Sequence, residues 1–291
     1  MIELHERLSE FSYGYGVTRE TELRLAREGI RAVPFLPSLV HEKQVGFDVA
    51  FGQAGAVLML QFKLGQSLER FHRGAFTGAI PKLARPFCRF SVDTAEPDGQ
   101  FETLLKAEQD GAEVYYVAPR FTDWPQYEAF FEQRRVLDNS LLVRPSWVRS
   151  ALDSQGAPDG PHRIVYDRRN VHVCSEPARI PEMSGDEAVA RIAAIVRQKR
   201  ESAGTTLTRL FEGFDDRSTV RRDVDGASLR QQDTSSDDLL HDARRILARE
   251  RRAERLKRFM DLTPSRDQAV AAAVGTELWG IGVQLVVAVA E

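Results

Sequence analysis

Hydrophobic positions in the first 120 residues alternate between a helical period and short buried runs. The helical period predicts two helices near the start, LHERLSEF and Thr18–Ile30, joined by the aromatic, glycine-rich loop FSYGYGV. Thr18 is the expected N-cap of the second helix. Three apolar runs, IRAVPFL, FDVAF and AVLMLQFKL, then predict strands, followed by the helix QFETLLKAEQDG and the buried strand EVYYVAPRF. This order predicts a mixed α/β sheet.

The same alternation continues to about residue 200. It predicts the helices YEAFFEQRRVL and Glu182–Lys199, the strand SLLVRPSWV, and a hairpin, HRIVYDRRNVHVCSEP, with its turn at Arg168–Asn170. Residues 1–200 are therefore expected to form one α/β domain, in which helices flank a mixed central β-sheet.

The last ninety residues have a different character. Residues 201–236 are rich in Gly, Ser, Thr, Asp and Arg and predict a flexible segment, whereas residues 237–291 predict a helical C-terminal region. Within it, Asp238–Met260 is an amphipathic helix, and His241–Arg258 holds eight Lys or Arg against three Asp or Glu. That basic face is typical of a solvated helix surface or of a contact with nucleic-acid phosphates. Its apolar residues recur at Leu239, Ala243, Ile246, Leu247, Leu256 and Met260.

An apolar run at Ala269–Ala290 raises the question of a membrane. It has 22 residues and one charge, Glu277, which is long enough for a transmembrane helix. Glycines at 275, 280 and 282 interrupt the run, and its last part, VQLVVAVA, is β-branched. This pattern favours a buried helix and strand that pack back on the core over a membrane span.

Composition limits the classes of function. The 291 residues carry a formal net charge of −3, so any contact with a polyanion would need a local basic patch. Two distant cysteines, Cys88 and Cys174, suit a reducing compartment, and the N-terminus has no secretory signal, so a cytoplasmic location is expected. The chain has no phosphate-binding glycine loop, nucleophile elbow or zinc-ligand spacing.

The side chains that could bind a metal ion or take part in catalysis lie in the run from Gly46 to Gly65. If Gly52–Gly55 is a hairpin loop, Asp48 lies opposite Met59 and shares one sheet face with Gln61 and Lys63. Asp48, the side-chain carbonyl of Gln61 and the backbone carbonyl of Phe62 are oxygen ligands that suit Mg²⁺. Lys63 would orient water or stabilise charge on a phosphate. The alternatives are an ordinary hairpin aspartate and a lysine that reaches water from a strand end.

Asp48 followed by Gln61-x-Lys63 resembles the PD-(D/E)XK nuclease superfamily, in the form seen in Mrr-type restriction endonucleases. The order of one helix, three strands, one helix and one strand from Thr18 to Phe121 is similar to that superfamily's core. The resemblance implies an acid on the first helix, either Glu20 or Glu22, of which we favour Glu20. It also implies a glutamine on the helix after the lysine strand, and Gln100 is placed for that. Phe47 stands where the family has proline, and Gln61 where it usually has an acid.

What the resemblance implies is a metal-dependent endonuclease with Mg²⁺, or Mn²⁺, as cofactor. DNA is the expected substrate, in restriction or antiviral defence, and a second copy of the chain or other defence proteins are candidate partners. The alternative is a catalytically inactive nuclease-fold protein that binds nucleic acid or serves in assembly, since Gln61 carries no charge. A membrane-tethered protein using residues 269–290 is a third hypothesis. Tyr13 and Tyr15 are expected to pack internally or to stack on bases.

Overall fold

The computed structural model describes residues 8–35, 51–70, 81–96, 99–174, 177–198, 200–216 and 236–290. In chain order they form helix α1 (Glu10–Arg27), strands β1 (Ile30–Pro34), β2 (Gly55–Phe62), β3 (Gln66–Leu68) and β4 (Phe87–Asp93), helix α2 (Gln100–Gln109), strand β5 (Glu113–Pro119), helix α3 (Trp124–Glu132), strand β6 (Ser140–Val143), helix α4 (Pro145–Ser154), strands β7 (Pro161–Tyr166), β8 (Val171–Cys174) and β9 (Pro177–Arg179), helices α5 (Gly185–Gln198), α6 (Ala203–Asp216), α7 (Ser236–Leu262) and α8 (Arg266–Gly280), and strand β10 (Val283–Ala290). The predicted mixed α/β class is confirmed, and these strands form two sheets.

The first sheet is mixed and has the strand order β1-β10-β2-β5-β6. Strand β10 lies antiparallel to both β1 and β2, β2 runs parallel to β5, and β6 runs antiparallel to β5. β10 reads VQLVVAVA and is buried along nearly its whole length, which suits β-branched residues covered on both faces. The C-terminal apolar run therefore ends as a central strand of this sheet.

The predicted hairpin between FDVAF and β2 is wrong. Met59 of β2 pairs with Leu285 of β10 on one side and with Val114 of β5 on the other, so both edges of β2 are occupied. Asp48 itself lies outside the described residues, and its predicted position opposite Met59 is taken by Leu285.

Two hydrophobic layers cover the first sheet. Val57 and Met59 of β2 belong to the layer that contains α2, α6, α8 and the second sheet, whereas Leu58 and Leu60 belong to the layer that contains α1 and α5. Side chains alternate with period two along a strand. Residues 61 and 63 therefore continue the series of Val57 and Met59 and face the side of α2.

The second sheet is antiparallel, with the order β3-β4-β7-β8-β9. The hairpin predicted for this region is confirmed, because β7 and β8 pair with each other. In its turn, a carboxylate oxygen of Asp167 accepts hydrogen bonds from the backbone N–H groups of Arg169 and Asn170. Such a side-chain cap is a common reason for Asp at the start of a turn.

Helix α1 is a single helix of 18 residues that starts after Ser9, whose hydroxyl accepts a hydrogen bond from the N–H of Ser12. The predicted loop FSYGYGV and the predicted N-cap Thr18 are therefore wrong. A Cβ on Gly14 would lie 2.7 Å from the ring of Phe62, and one on Gly16 would lie 3.0 Å from the ring of Tyr127. The glycines that suggested a loop serve close packing instead.

The predicted flexible segment 201–236 is wrong for its first part, because residues Ala203–Asp216 form α6. Leu207, Leu210 and Phe214 of α6 are buried in the core, and residues 217–235 lie outside the described part of the chain. Helix α7 packs through Leu256 and Phe259, whereas Ile246 and Leu247 of the predicted apolar stripe are exposed.

The run Ala269–Ala290 is divided between α8 and β10. Among the residues that the structure describes, no helix combines the length and the apolar character needed to cross a membrane.

Candidate active site

Strand β2 ends at a contact that joins three separate parts of the chain. The ammonium of Lys63 donates a hydrogen bond of 2.8 Å to Oε1 of Gln100, the first residue of α2. Nε2 of Gln100 donates a bond of 2.7 Å to the carbonyl of Ile281, in the link between α8 and β10. The structure therefore brings together the Gln-x-Lys sequence and the helix glutamine that the resemblance implied.

Gln61 lies one alternation before Lys63 and is 2% exposed. Its Nε2 donates a hydrogen bond of 3.0 Å to the carbonyl of Phe62, while its Oε1 is buried without a hydrogen-bond partner. The opposite amide orientation would place two oxygens against each other at Phe62. An unpaired buried carbonyl oxygen costs free energy, so this atom is available to a ligand that the protein binds.

The environment of Lys63 weakens its hold on the proton. The side chain is half-buried, and its Nζ lies 6.0 Å from the centre of the Tyr116 ring. Burial lowers the pKa of Lys63, and the charge of Glu10 opposes that shift. Burial likewise raises the pKa of Glu10, and the charge of Lys63 opposes that shift. The charge of Glu10, at the start of α1, thus influences the pKa of Lys63, and the charge of Lys63 influences the pKa of Glu10.

Glu20, the favoured first-helix acid, is placed elsewhere by the structure. Its two carboxylate oxygens accept hydrogen bonds of 2.8 Å and 2.9 Å from the backbone N–H groups of Val136 and Leu137, where a short 3₁₀ turn begins before β6. Arg24 lies 3.7 Å from the same carboxylate. Ten residues of α1 separate Glu20 from Glu10, a rise of about 15 Å along the helix axis. Glu20 therefore acts as a buried cap, and it does not join the site at Lys63.

Glu22, the other first-helix candidate, is half-buried, and burial raises its pKa. Among the described residues, Glu10 is the acid whose charge acts on the pKa of Lys63, and neither Glu22 nor Glu20 does so. Sequence reasoning missed Glu10 because it placed a loop in the middle of α1. The signal that finds it is the N-cap Ser9, which puts Glu10 in the first turn of one continuous helix.

The oxygen donors near Lys63 suit a hard cation. Gln61 offers its unpaired Oε1, Glu10 offers a carboxylate, and the Phe62 carbonyl keeps one lone pair beside the bond that it accepts from Gln61. Mg²⁺ and Mn²⁺ prefer such oxygen ligands. Among the described residues no group of three or more His, Cys, Asp or Glu forms a metal cluster, and Asp48 lies outside them. Gln61 Oε1 and the Phe62 carbonyl are therefore neighbouring oxygen donors that suit Mg²⁺, and Glu10 is connected with them through the effect of its charge on Lys63.

The basic face of α7 is partly committed to internal contacts. Arg252 and Arg255 both pair with Glu277 of α8, at 3.2 Å and 2.5 Å, and Arg252 also donates to the carbonyl of Phe214. These two cations are therefore anchors between helices. Of the two tyrosines considered for base stacking, Tyr13 is buried and donates to Ser140, whereas Tyr15 is 56% exposed beside Phe131.

Comparisons with protein-family models, with curated proteins and with solved structures find nothing that matches this chain. The chemistry of the site therefore rests on its own geometry.

Proposed function

We propose that this protein is a metal-dependent nuclease that hydrolyses phosphodiester bonds in DNA. The observation that carries the proposal is the hydrogen bond from Lys63 to Gln100, beside the unpaired buried oxygen of Gln61. These three residues belong to the set that the resemblance to PD-(D/E)XK nucleases implied, which also included Asp48 and Glu20, and they come from two parts of the chain separated in sequence. A lysine whose side chain only extended from the end of the strand into water would need neither Gln100 nor Gln61 beside it.

The proposed role of Lys63 is electrostatic. Its half-buried ammonium stands at the end of β2, where it can stabilise negative charge that develops on a phosphate or orient the attacking water. Gln100 fixes the position of that ammonium, since its amide is itself held by the Ile281 carbonyl. Because burial lowers the pKa of Lys63, the proton is held less tightly than on an exposed lysine. Lys63 is thereby suited to pass a proton to or from a water molecule.

Gln61, Glu10 and the Phe62 carbonyl are the groups that would hold Mg²⁺ or Mn²⁺. When bound, the ion supplies Lewis-acid polarisation of the phosphate and lowers the pKa of a coordinated water. The roles of Gln61 and Glu10 are to position that ion against Lys63. The charge of Glu10 also opposes the lowering of the Lys63 pKa by burial.

Part of the element order also supports this assignment. α1, β1 and β2 precede α2 and β5 in the chain, and β2 runs parallel to β5, as expected for the nuclease core. The differences are that β3 and β4, which belong to the second sheet, lie between β2 and α2, and that no third strand of the first sheet precedes α2 among the described residues. The strand between β1 and β2 in the sheet is β10, from the end of the chain. Restriction or defence against foreign DNA is the biological role that the resemblance suggests.

The test is a cleavage assay on purified protein with supercoiled plasmid and single-stranded DNA. The proposal expects cleavage with Mg²⁺ or Mn²⁺ and none with excess EDTA. Equal amounts of intact DNA with and without the metal, at protein concentrations that saturate binding, would overturn the nuclease assignment.

A second candidate is a catalytically inactive protein that binds nucleic acid or serves in assembly. The observation that favours it is the uncharged Gln61 where related sites carry an acid, since an amide binds Mg²⁺ more weakly than a carboxylate. In the same assay this candidate predicts binding of DNA without metal-dependent cleavage. Substitution Gln61→Glu would then create metal-dependent cleavage if only the ligand charge is missing.

A further inference from the structure

The second sheet has one face that contributes little to either hydrophobic core. Residues of its central strands that lie in the core, such as Cys88, Phe90, Ile164 and Val173, alternate with residues of the opposite face. On the opposite face lie Arg89 of β4, Arg163 of β7 and Arg179 of β9, which we call the arginine face. Arg163 and Arg179 are exposed, and Arg89 is half-buried.

The arginine face holds its positive charges without carboxylate partners among the described residues. Arg89 donates to the neutral side-chain oxygen of Gln66, at 2.7 Å and 3.0 Å. Burial lowers the pKa of Arg89, and the charge of Arg163 lowers it further. Elsewhere on the molecule, Arg24 and Arg149 each pair with two or more acids. Like charges gathered without counter-charges favour a negatively charged partner from outside.

The arginine face also carries a histidine with a ring nitrogen that makes no hydrogen bond. His172 pairs in register with Arg179, and its Nδ1 is buried without a hydrogen-bond partner. Burial lowers the pKa of His172, with Arg179 acting in the same direction and Asp167 opposing. The nearby acids are otherwise engaged: Asp167 caps its turn, and Glu182 pairs with Arg120. Asp93 lies on the same face as a diagonal neighbour of Arg163, and its carboxylate accepts a hydrogen bond from the N–H of Ala95.

The spacing of the arginines fits a polyanion rather than one small anion. Arg89, Val165, His172 and Arg179 form one row across four strands, so Arg89 and Arg179 are about 14 Å apart at their Cα atoms. Arg163 is a diagonal neighbour of Arg89, at about 8 Å. A single phosphate cannot reach all three side chains. A nucleic-acid strand, with about 3.4 Å of rise per phosphate, places roughly four phosphates along 14 Å.

The row of the arginine face begins close to the candidate active site. Gln66, the partner of Arg89, follows Lys63 by three residues and opens β3. A polyanion that lies along the row from Arg179 to Arg89 therefore arrives beside the end of β2. We propose that the arginine face binds the sugar-phosphate backbone of duplex DNA and leads it to Lys63. This inference rests on the proposed nuclease function for the identity of the polyanion.

The test measures binding separately from cleavage. A fluorescently labelled DNA duplex is titrated with protein in EDTA at several salt concentrations, and anisotropy gives the affinity. The triple variant Arg89→Gln, Arg163→Gln and Arg179→Gln should bind at least about tenfold more weakly. Its slope of log affinity against log salt should be shallower by about 0.9 for each phosphate that the protein no longer neutralises. The matched control is Arg27→Gln, Arg197→Gln and Arg200→Gln, which removes the same charge from exposed positions elsewhere.

The outcomes separate this inference from the nuclease proposal. If the triple variant binds duplex DNA with the affinity and salt slope of the wild type, the arginine face is not the binding surface, and cleavage by the wild type would still support the active site. If the triple variant and the control weaken binding equally, the effect is one of net charge, and the inference is overturned. Selective weakening in the triple variant supports the arginine face whether or not the DNA is cleaved.

Discussion

The ammonium of Lys63 and the side-chain oxygen of Gln100 are joined by a hydrogen bond of 2.8 Å, although 37 residues separate them in sequence. The Gln100 amide is fixed in turn by the carbonyl of Ile281, which precedes the C-terminal strand β10. The position of the lysine therefore depends on α2 and on the end of the chain together.

Substitution of Gln100 tests whether this residue positions Lys63. Gln100→Ala removes the acceptor, and we expect the cleavage rate at saturating DNA to fall by about 10- to 100-fold, because misplacement of a catalytic group by about 1 Å has that effect. Gln100→Glu supplies a charged acceptor that raises the pKa of Lys63, so the alkaline limb of the pH–rate profile should move to higher pH. Gln109→Ala, at an exposed position on the same helix, is the control.

Several features of this site could be predicted from the sequence. The period of two along β2 placed Gln61 and Lys63 on one face, and the amphipathic pattern placed Gln100 at the start of α2. Both are local signals. The partner of β2 could not be predicted, because β10 lies more than 220 residues further along the chain and pairs through contacts that no local pattern encodes. Glu10 was missed for a related reason. Gly14 suggested a loop, whereas in the structure it lies within α1 and allows close packing against Phe62, which is distant in sequence.

The charge of Glu10 should affect both Lys63 and the pH dependence of stability. Burial raises the pKa of Glu10 in the folded protein, so its contribution to stability is fully present below the ordinary value near 4.5 and is lost as pH rises through the raised value. Glu10→Gln should remove that loss, so the free energy of unfolding should fall less between about pH 4.5 and neutrality. Urea unfolding across this range measures the effect. An unchanged pH dependence would show that the surroundings of Glu10 in the folded protein do not raise its pKa.

The same substitution should lower the pKa of Lys63 further, because the supporting negative charge is removed. NMR titration of the lysine Nζ resonance measures this shift. Glu128→Gln, at an exposed position on α3, is expected to leave the Lys63 pKa where it is.

Glu20 should prove to be a structural residue. Glu20→Ala leaves the buried N–H groups of Val136 and Leu137 without their acceptors, at a cost of about 1–3 kcal/mol for each unsatisfied group. The free energy of unfolding should fall accordingly, while the cleavage rate per folded molecule stays close to that of the wild type. Glu22→Ala is the neighbouring control. A catalytic defect in Glu20→Ala without a loss of stability would contradict the placement of Glu20 as a cap.

Strand β10 should be necessary for the first sheet. Leu285 is 1% exposed and pairs with Met59, so Leu285→Ala should reduce the free energy of unfolding by about 2–5 kcal/mol. Leu247→Ala, at a position on α7 that is 51% exposed, should change it by about 0.5 kcal/mol or less. Equal stability of the two variants, measured by denaturant unfolding, would show that β10 is not a central strand.

The most direct test of the proposed active site is single-turnover cleavage of a labelled DNA duplex by Lys63→Ala in saturating Mg²⁺. Circular dichroism and unfolding should first show that the variant is folded. Removal of the ammonium at the end of β2 should slow cleavage by about 100- to 1,000-fold, the usual effect of removing one group that stabilises transition-state charge. The matched control is Lys106→Ala on α2, whose ammonium pairs with Asp110. Wild-type cleavage rates in the folded Lys63→Ala protein would contradict the assignment of catalysis to this site.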